Sequence, residues 1–597
     1  MTNLEIAELL RRVAAAYEIL GENRFRIIAY ERAADSIEHL TSELKDYWDD
    51  KKLREIPGVG DMLASHLDEL FRTGHSKHFD SVMAKLPAAV FPLLLVPGIG
   101  PKKAYKLVTV LKLKSEKTVI DELENAAKDN KIAPIEGFGE KSESLILTNI
   151  EIYRKGQIKE NRMALPIADA IATDIIAFLK KIPSAKHVDA LGSLRRQVST
   201  VGDIDIAVAT ANPEEIIAHF LTYPHQEIIE EGPTGASVRL HNGRQVDLRV
   251  QKPELYGAML QYFTGGKNHN IALRSFALSR GLSLNEYGIK HVSSGKVDEF
   301  SSEEAFYNSI GLAYIAPELR EDKGEIEAAL RQAQGKPGLP HLVQLSDIKG
   351  DLHIHTDYDL EPSHDLGVNP FSDYLNRAAA LGYEYIGISD HNPSITNHSE
   401  KQIVEIMKRR KEAYEHKYSS WEKKTHKRVH YILMCEVDIL PDGKLALPDA
   451  AFAYVDGVIA SLHSSFTQER KIVTKRIITA LTHHPKVRIF GHPTGRMLGG
   501  REGVDADWPV IFDVCKQHAV ALEINASPLR LDLPDTLVFD AVKKGLKLVI
   551  DTDAHAVEAM NFMRYGVSVA RRGWATKHDI LNSMGYNEFR NWLLKGT

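Results

Sequence analysis

Three aspartates set the first chemical question. Asp203 and Asp205 close the run Gly192-Ser-Leu-Arg-Arg-Gln-Val-Ser-Thr-Val-Gly-Asp-Ile-Asp205. The two lie two apart in a strand-like run, whose period of two puts both carboxylates on one face. Like charges held that close need a cation, and oxygen ligands suit hard divalent ions, Mg2+ above all. A second strand-like run, Arg244-Gln-Val-Asp-Leu-Arg-Val250, offers Asp247 as a third carboxylate. Three carboxylates can hold two ions that clamp the attacking and leaving oxygens of a phosphoryl transfer. Gly192 and Ser193 open a turn-to-helix segment with Arg196 beside it, a cradle for phosphate.

Histidine sets the second question. Of 26 histidines, 10 fall in residues 1–340 and 16 in residues 341–597. In the second region they follow strands. Asp351-Leu-His-Ile-His-Thr356 comes first, and Tyr385–Ser389 then ends at Asp390-His391. Tyr431–Cys435 ends at Glu436, Val455–Ala460 just before His463, and Val487–Phe490 just before His492. Leu546–Ile550 ends just before Asp553 and His555. Barrel folds build their sites at the C-terminal ends of strands, and imidazole is the commonest neutral metal ligand. His364, His398, His416, His426, His483 and His518 lack this placement and read as ordinary surface or core residues.

The elements that must position these groups fall into regions. Residues 1 to about 155 read as helical, with Ile6, Leu9, Leu10, Val13 and Tyr17 at helical spacing. Three glycine turns punctuate them: Ile56-Pro-Gly-Val-Gly60, Val96-Pro-Gly-Ile-Gly100 and Ile135-Glu-Gly-Phe-Gly139. Such turns bare backbone N–H groups at a helix start, where glycine lets a phosphate approach. Lys102, Lys103 and Lys106 add charge. Residues 186–250 turn strand-like, and 316–340, with three prolines and three glycines, read as a linker. Beyond it, strands alternate with helical stretches, the pattern of an α/β domain. Lys401–His430, with 10 Lys and Arg against 4 Glu, reads as a solvated helix face.

A length of 597 residues calls for several domains. Two cysteines exclude a disulfide framework and fit a reducing cytoplasm. No apolar run approaches the roughly 20 residues of a membrane span, and Met1–Leu10 lacks the pattern of a signal peptide. A net charge of −6 excludes a globally basic coat but not local basic surfaces.

The middle constellation resembles the nucleotidyltransferase palm of family X DNA polymerases. Tyr262-Phe-Thr-Gly-Gly266 is similar to that family's Tyr-Phe-Thr-Gly-Ser element, and Asn23–Ala33 to its N-terminal gap-binding helices. The glycine turns resemble helix-hairpin-helix motifs, which grip DNA backbones without reading sequence. The resemblance covers roughly residues 1–320. It implies that Asp203, Asp205 and Asp247 bind Mg2+ or Mn2+, with Asp247 activating the primer 3′-hydroxyl. It also implies that Gly192, Ser193, Arg196, Tyr262, Phe263, Gly265 and Asn270 hold the dNTP, and that Gly58, Gly60, Gly98, Gly100 and Arg274 contact DNA. Three residues depart from the pattern. His66 stands where lyase members carry a Schiff-base Lys, so no lyase of the usual kind is expected. Gln245 replaces an Arg found in some members, and Gly266 replaces the usual Ser.

The histidine series resembles the PHP (polymerase and histidinol phosphatase) domain, a distorted (β/α)7 barrel with a trinuclear metal site. Ser389-Asp-His391, Gly491-His-Pro-Thr-Gly495 and Asp551-Thr-Asp-Ala-His555 carry the match. The resemblance implies His353, His355, His391, Glu436, His463, His492, Asp553 and His555 as ligands of up to three Mn2+ or Zn2+ ions. A ninth ligand, acidic or His, is expected near Leu360, with Asp359, Glu361 or a shifted residue as substitutes. Asp390 reads as orienting a neighbour, and Glu523-Ile-Asn525 as lining the pocket.

Together the resemblances place a helical DNA-binding region at 1–155, palm and thumb at 156–315, a linker at 316–340 and a PHP domain at 341–597, a multidomain α+β and α/β architecture. They imply a cytoplasmic, monomeric bacterial family X DNA polymerase. It would fill short gaps in gapped or primed DNA during base-excision repair, with no membrane partner. The PHP domain would supply a 3′→5′ exonuclease and incision at abasic sites. The alternative is a DNA-tethered phosphoesterase or repair scaffold with one catalytic half silent.

Overall fold

The computed structural model describes residues 3–38, 44–49, 51–56, 58–96, 99–116, 118–135, 137–139, 142–143, 146–147, 149–150, 162–361 and 365–595. Gly98 and His364 lie outside the described residues. The chain forms two compact units, Met1–Met163 with Ala218–Asp247, and Ala164–Ile217 with Leu248–Thr597.

The first unit is mainly helical. The helices Asn3–Leu20, Arg24–Glu38, Asp61–Thr73 and Lys77–Met83 bury Ile6, Leu10, Val13, Leu63, Leu67 and Phe79 in one cluster. Pro101–Leu111 and Val119–Lys128 bury Leu107 and Leu123 in another. The three glycine turns share one hydrogen bond. Val59 N–H donates to Ile56 C=O at 3.0 Å, Ile99 to Val96 at 3.1 Å and Phe138 to Ile135 at 2.9 Å. Gly60 and Gly100 then cap their helices with extended backbone, at φ −80° and −77°. Gly58 takes φ +84°, where a side chain is strained. A Cβ there would also sit 2.8 Å from Ala33 N, so this turn lies directly on the helix Arg24–Glu38. An antiparallel hairpin, Glu227–Gly232 with Gly235–Arg239, leads into the strand Gln245–Gln251, and the unit ends within that strand at Asp247.

In the second unit, His187–Ala190 pairs antiparallel with Ile204–Ala209, and Thr210 N–H donates to Gln251 C=O at 2.9 Å. The helices Tyr256–Thr264, Lys267–Leu278 and Glu303–Ser309 follow, with a three-stranded sheet between the last two. Leu273, Phe306, Tyr307, Leu312 and Leu319 form a core there. The stretch 316–340, expected as a linker, is built into this core. It forms the helix Glu325–Ala333 and buries Ile326 and Ala329. Its few apolar residues fall three and four apart, on one helical face, so composition concealed the helix.

Residues 341 onward form a seven-stranded parallel sheet whose strands lie in chain order: Gly350–Asp351, Tyr385–Ile388, His430–Asp438, Gly457–Ser461, Val487–Gly491, Ala521–Asn525 and Leu548–Asp551. The sheet nearly closes on itself. His355 N–H donates to Ala554 C=O at 2.9 Å, and Ala554 N–H to His353 C=O at 3.1 Å. This is the distorted (β/α)7 barrel, with a 3-10 turn, Asp449–Tyr454, in place of one crossover helix. Its interior is packed rather than open. Leu352, Tyr385, Met434, Ile459, Ile489, Ala521 and Val549 share a cluster that Leu581, Phe589 and Leu593 seal. Among the described residues, no helix is long and apolar enough to cross a membrane.

The two glycines of the first turn have different physical duties. Gly58→Ala is expected to cost more than about 1 kcal/mol of stability, because φ is positive and the space is filled. Gly60→Ala, where a Cβ would meet nothing within 4 Å, is expected to cost less. Denaturant unfolding followed by helical circular dichroism compares the two.

Candidate metal centre and nucleotide pocket

The barrel strands end at one rim, and there the imidazoles converge on a single carboxylate. Glu436 Oε2 lies 3.1 Å from His353 Nε2, 3.4 Å from His355 Nε2 and 3.2 Å from His391 Nδ1. Glu436 Oε1 lies 3.3 Å from His463 Nε2 and 2.8 Å from His492 Nε2. Asp553 Oδ1 stands 3.4 Å from His355 Nε2 and 3.7 Å from His555 Nδ1. Among the described residues, three overlapping sets bring their ligand atoms within 4.8 Å of one another: His355, His391 and His555; His353, His355, Glu436 and Asp553; His391, Glu436 and His463. Among the described residues, Asp203 and Asp205 belong to no such set.

Groups behind the cluster aim it. Glu523 Oε1 receives His353 Nδ1 at 2.5 Å, and its other oxygen accepts the His492 backbone N–H. Asn525 Nδ2 donates to Glu523 at 3.2 Å and to Asp553 at 3.1 Å. Asp438 Oδ1 takes His463 Nδ1 at 2.6 Å. A carboxylate on the far ring nitrogen fixes the tautomer and leaves the near nitrogen as an electron donor. Asp390 is held by the fully buried Arg410 at 3.0 Å and by Tyr414 Oη at 2.7 Å. It accepts the Thr356 N–H at 2.8 Å, which anchors the chain just after His355. His492 and Asp553 take φ +26° and +53°, a left-handed backbone that side chains avoid unless the surroundings impose it.

The cluster fits divalent ions. Buried ring nitrogens of His353, His355, His492 and His555 make no hydrogen bond. Burial raises the Glu436 carboxyl, but His353, His391 and His463 outweigh it and hold it well below the usual range. Burial lowers His355, yet Asp553 and Glu436 bring it to about 9. The His355 ring thus takes up a proton where positive charge is wanted, and an ion would displace it. Burial and the Arg530 guanidinium lower His492.

The residues of the proposed nucleotide pocket lie in the same unit. Gly192 takes φ +57°, and a Cβ there would meet Asp205 Oδ2 at 2.7 Å, so the turn requires glycine twice over. Ser193 lies in the short helix Gly192–Arg195. Arg195 reaches Thr264 Oγ1 at 2.7 Å and Glu303 at 2.6 Å, and the buried Arg320 takes the other Glu303 oxygen at 2.6 Å. Arg196 Nη1 donates to Thr264 C=O at 2.8 Å. Asn270 Nδ2 donates to Tyr262 C=O at 2.9 Å, and its Oδ1 occupies the space a side chain at Gly265 would need. Tyr262 and Phe263 meet edge to face, with centroids 5.0 Å apart, and Arg249 lies over Phe263. Arg274 is exposed and donates to Asn270 C=O. In the other unit, Asp247 accepts from Ser237 Oγ and from Gln245 Nε2 at 3.0 Å, so Gln245 still holds the aspartate.

Residues 1–76 match the helix-hairpin-helix domain family, 259–321 the DNA polymerase beta thumb and 351–527 the PHP domain. The chain is 32% identical over 598 residues to the DNA polymerase/3'-5' exonuclease PolX of Bacillus subtilis (strain 168), covering 99% of each. The chain belongs to the bacterial family X DNA polymerases. It is also 24% identical over 355 residues to DNA polymerase lambda of Arabidopsis thaliana, covering 53% of this chain and 62% of that one.

Within that family's architecture, the structure adds residues that strand-end spacing did not reveal. Leu360 is fully buried, and Glu361 pairs with Arg409 at the surface. Asp365 instead stands 3.4 Å from His555 Nε2. Asp438 closes the strand His430–Asp438, two residues after Glu436, a signal that was legible. Arg530 lies 3.5 Å from Asp553 and sits in the segment just after the strand Ala521–Asn525. Arg410 sits in the charge run read as solvated, yet it is fully buried.

Glu523→Gln keeps the shape but removes the charge behind His353. It is expected to weaken metal affinity by roughly 10–100-fold. Mn2+ titration calorimetry on the folded protein measures the loss.

Proposed function

We propose that this family X polymerase fills short gaps during base-excision repair and trims 3′ ends at its PHP centre. The observation that supports the reading is that one chain carries two separate groups of residues, each suited to one activity. One is Asp203 with Asp205, at the start of the strand Ile204–Ala209 and beside the glycine turn at Gly192. The other is the Glu436 centre with five imidazoles within 3.4 Å. A relative matching the whole chain carries both activities in its name.

In the polymerase half, Asp203 and Asp205 hold Mg2+ or Mn2+, and Asp247 takes the proton from the primer 3′-hydroxyl. Gly192, Ser193 and Arg196 hold the triphosphate, while Tyr262, Phe263, Gly265 and Asn270 shape the nucleotide's seat. The glycine turns at Gly58, Gly60, Gly98 and Gly100 grip the DNA backbone, and Arg274 faces the template side.

In the exonuclease half, His353, His355, His391, Glu436, His463, His492, Asp553 and His555 hold up to three Mn2+ or Zn2+ ions. Asp365 joins them at His555. When bound, the ions supply Lewis acidity toward the scissile phosphate. Glu523, Asn525 and Asp438 keep the ligands oriented, and Arg530 offers its guanidinium to the phosphate oxygens. Abasic-site incision uses the same centre. The protein works as a cytoplasmic monomer, where the buried Cys435 and Cys515 stay reduced.

A labelled primer on gapped DNA, with and without dNTPs, separates the two activities. Asp205→Ala is expected to lose extension by at least about 100-fold and keep trimming. His355→Ala is expected to do the reverse. Normal extension by the first variant, or normal trimming by the second, overturns the corresponding half.

A further inference from the structure

The last barrel helix, Met563–Arg572, is packed against the polymerase half of its own unit. Tyr565 Oη and Arg564 both reach Asp169, at 3.0 and 2.9 Å. Ser568 Oγ donates to Gln197 at 3.0 Å, and Arg571 Nε to Glu318 at 2.7 Å. Arg572, only 5% exposed, makes the contact of most consequence. Its Nη1 donates to the Arg196 carbonyl at 2.8 Å and to Glu321 Oε1 at 3.0 Å, and its Nη2 to Asp535 at 2.9 Å.

Glu321 Oε1 is shared, because Arg196 Nε donates to it as well, at 2.9 Å. One carboxylate therefore lies between the guanidinium assigned to the triphosphate and a guanidinium of the PHP barrel. The departure at Gly266 belongs to the same feature. A Cβ there would meet Arg320 C=O at 2.9 Å and Glu321 Oε2 at 3.2 Å. The family's usual Ser would intrude on the carboxylate that this chain uses as the link.

We infer that Glu321 and Arg572 are positioning residues for nucleotide binding. The PHP helix draws the Glu321 charge toward itself and so leaves Arg196 electropositive enough to take the triphosphate. Without Arg572, Glu321 would be held by Arg196 alone and would neutralise it. The Arg196 carbonyl would also lose the donor that holds its backbone. A triphosphate competes with Glu321 for the same guanidinium, so the dNTP affinity of the polymerase depends on a residue of the nuclease barrel. This inference rests on the reading of Arg196 as a triphosphate ligand.

The test is steady-state extension of single-nucleotide-gapped DNA by the full-length protein, with dNTP varied. Arg572→Met is expected to raise KM for dNTP roughly 5-fold or more and to move KM more than kcat. Glu321→Gln keeps an oxygen for Arg196 but removes the charge, and is expected to lower KM. In the Glu321→Gln background, Arg572→Met is expected to lose most of its effect. The 3′ trimming rate and melting temperature of each variant report whether the barrel is intact.

An unchanged KM in Arg572→Met, or an equal rise with and without Glu321, overturns the inference. If Arg572→Met does not fold, Glu321→Gln decides alone, and an unchanged or raised KM overturns the link. Arg196→Ala tests the underlying reading separately. If it leaves KM for dNTP unchanged, the assignment of Arg196 fails. If it raises KM while Arg572→Met and Glu321→Gln do not move it, only the link fails.

Discussion

The structure of the nuclease half depends on one crowded carboxylate. Glu436 is fully buried, and five imidazoles approach its two oxygens within 3.4 Å. Such a density of lone pairs is costly in a low-dielectric interior unless positive charge is shared among them. A parallel barrel is suited to assemble it. Each strand contributes its end to the same rim, while the opposite end is filled by aliphatic and aromatic side chains. The strained backbone at His492 and Asp553 is held by that frame.

Around the cluster, three sets of anchoring groups hold it by hydrogen bonds. Glu523 holds His353 and the His492 backbone, Asn525 ties Glu523 to Asp553, and Asp438 holds His463. Asp390, Arg410 and Tyr414 lock the turn after His355 from below. Glu523 and Asp438 each accept a hydrogen bond from a ring nitrogen of the cluster, and Asp390 holds the backbone beside His355. The rings are thereby oriented before any ion arrives, which lowers the cost of binding it.

The polymerase half uses the same device with arginines. Glu303 joins Arg195 to the buried Arg320, and Glu321 joins Arg196 to Arg572. Two neighbouring arginines in one short turn are therefore tied to two different parts of the unit. Arg195 is tied to the thumb core and Arg196 to the barrel. The turn itself has little freedom, because Gly192 is pressed against Asp205 and Gln197 takes φ +56°.

Much of this was legible in the chain because period and spacing are local properties. Strand ends marked the eight histidine, glutamate and aspartate positions, and repeated glycine turns marked the helical hairpins, whereas the strand that carries Asp205 begins at Ile204 and leaves Asp203 just outside it. What local pattern could not carry was any partnership between distant residues. Asp365 and Arg530 reach the histidine cluster, and Arg410 reaches Asp390, only through tertiary packing, and Arg410 looked like one charge among many. Helix Glu325–Ala333 looked like a linker because its burial depends on a core built from other segments. The sequence alone determined which chemical groups stand at which strand ends and turns, since the backbone repeat sets that directly. Tertiary structure alone decided which of those groups share a proton, a charge or an ion, since Coulomb and hydrogen-bond energies depend on distances that only packing establishes.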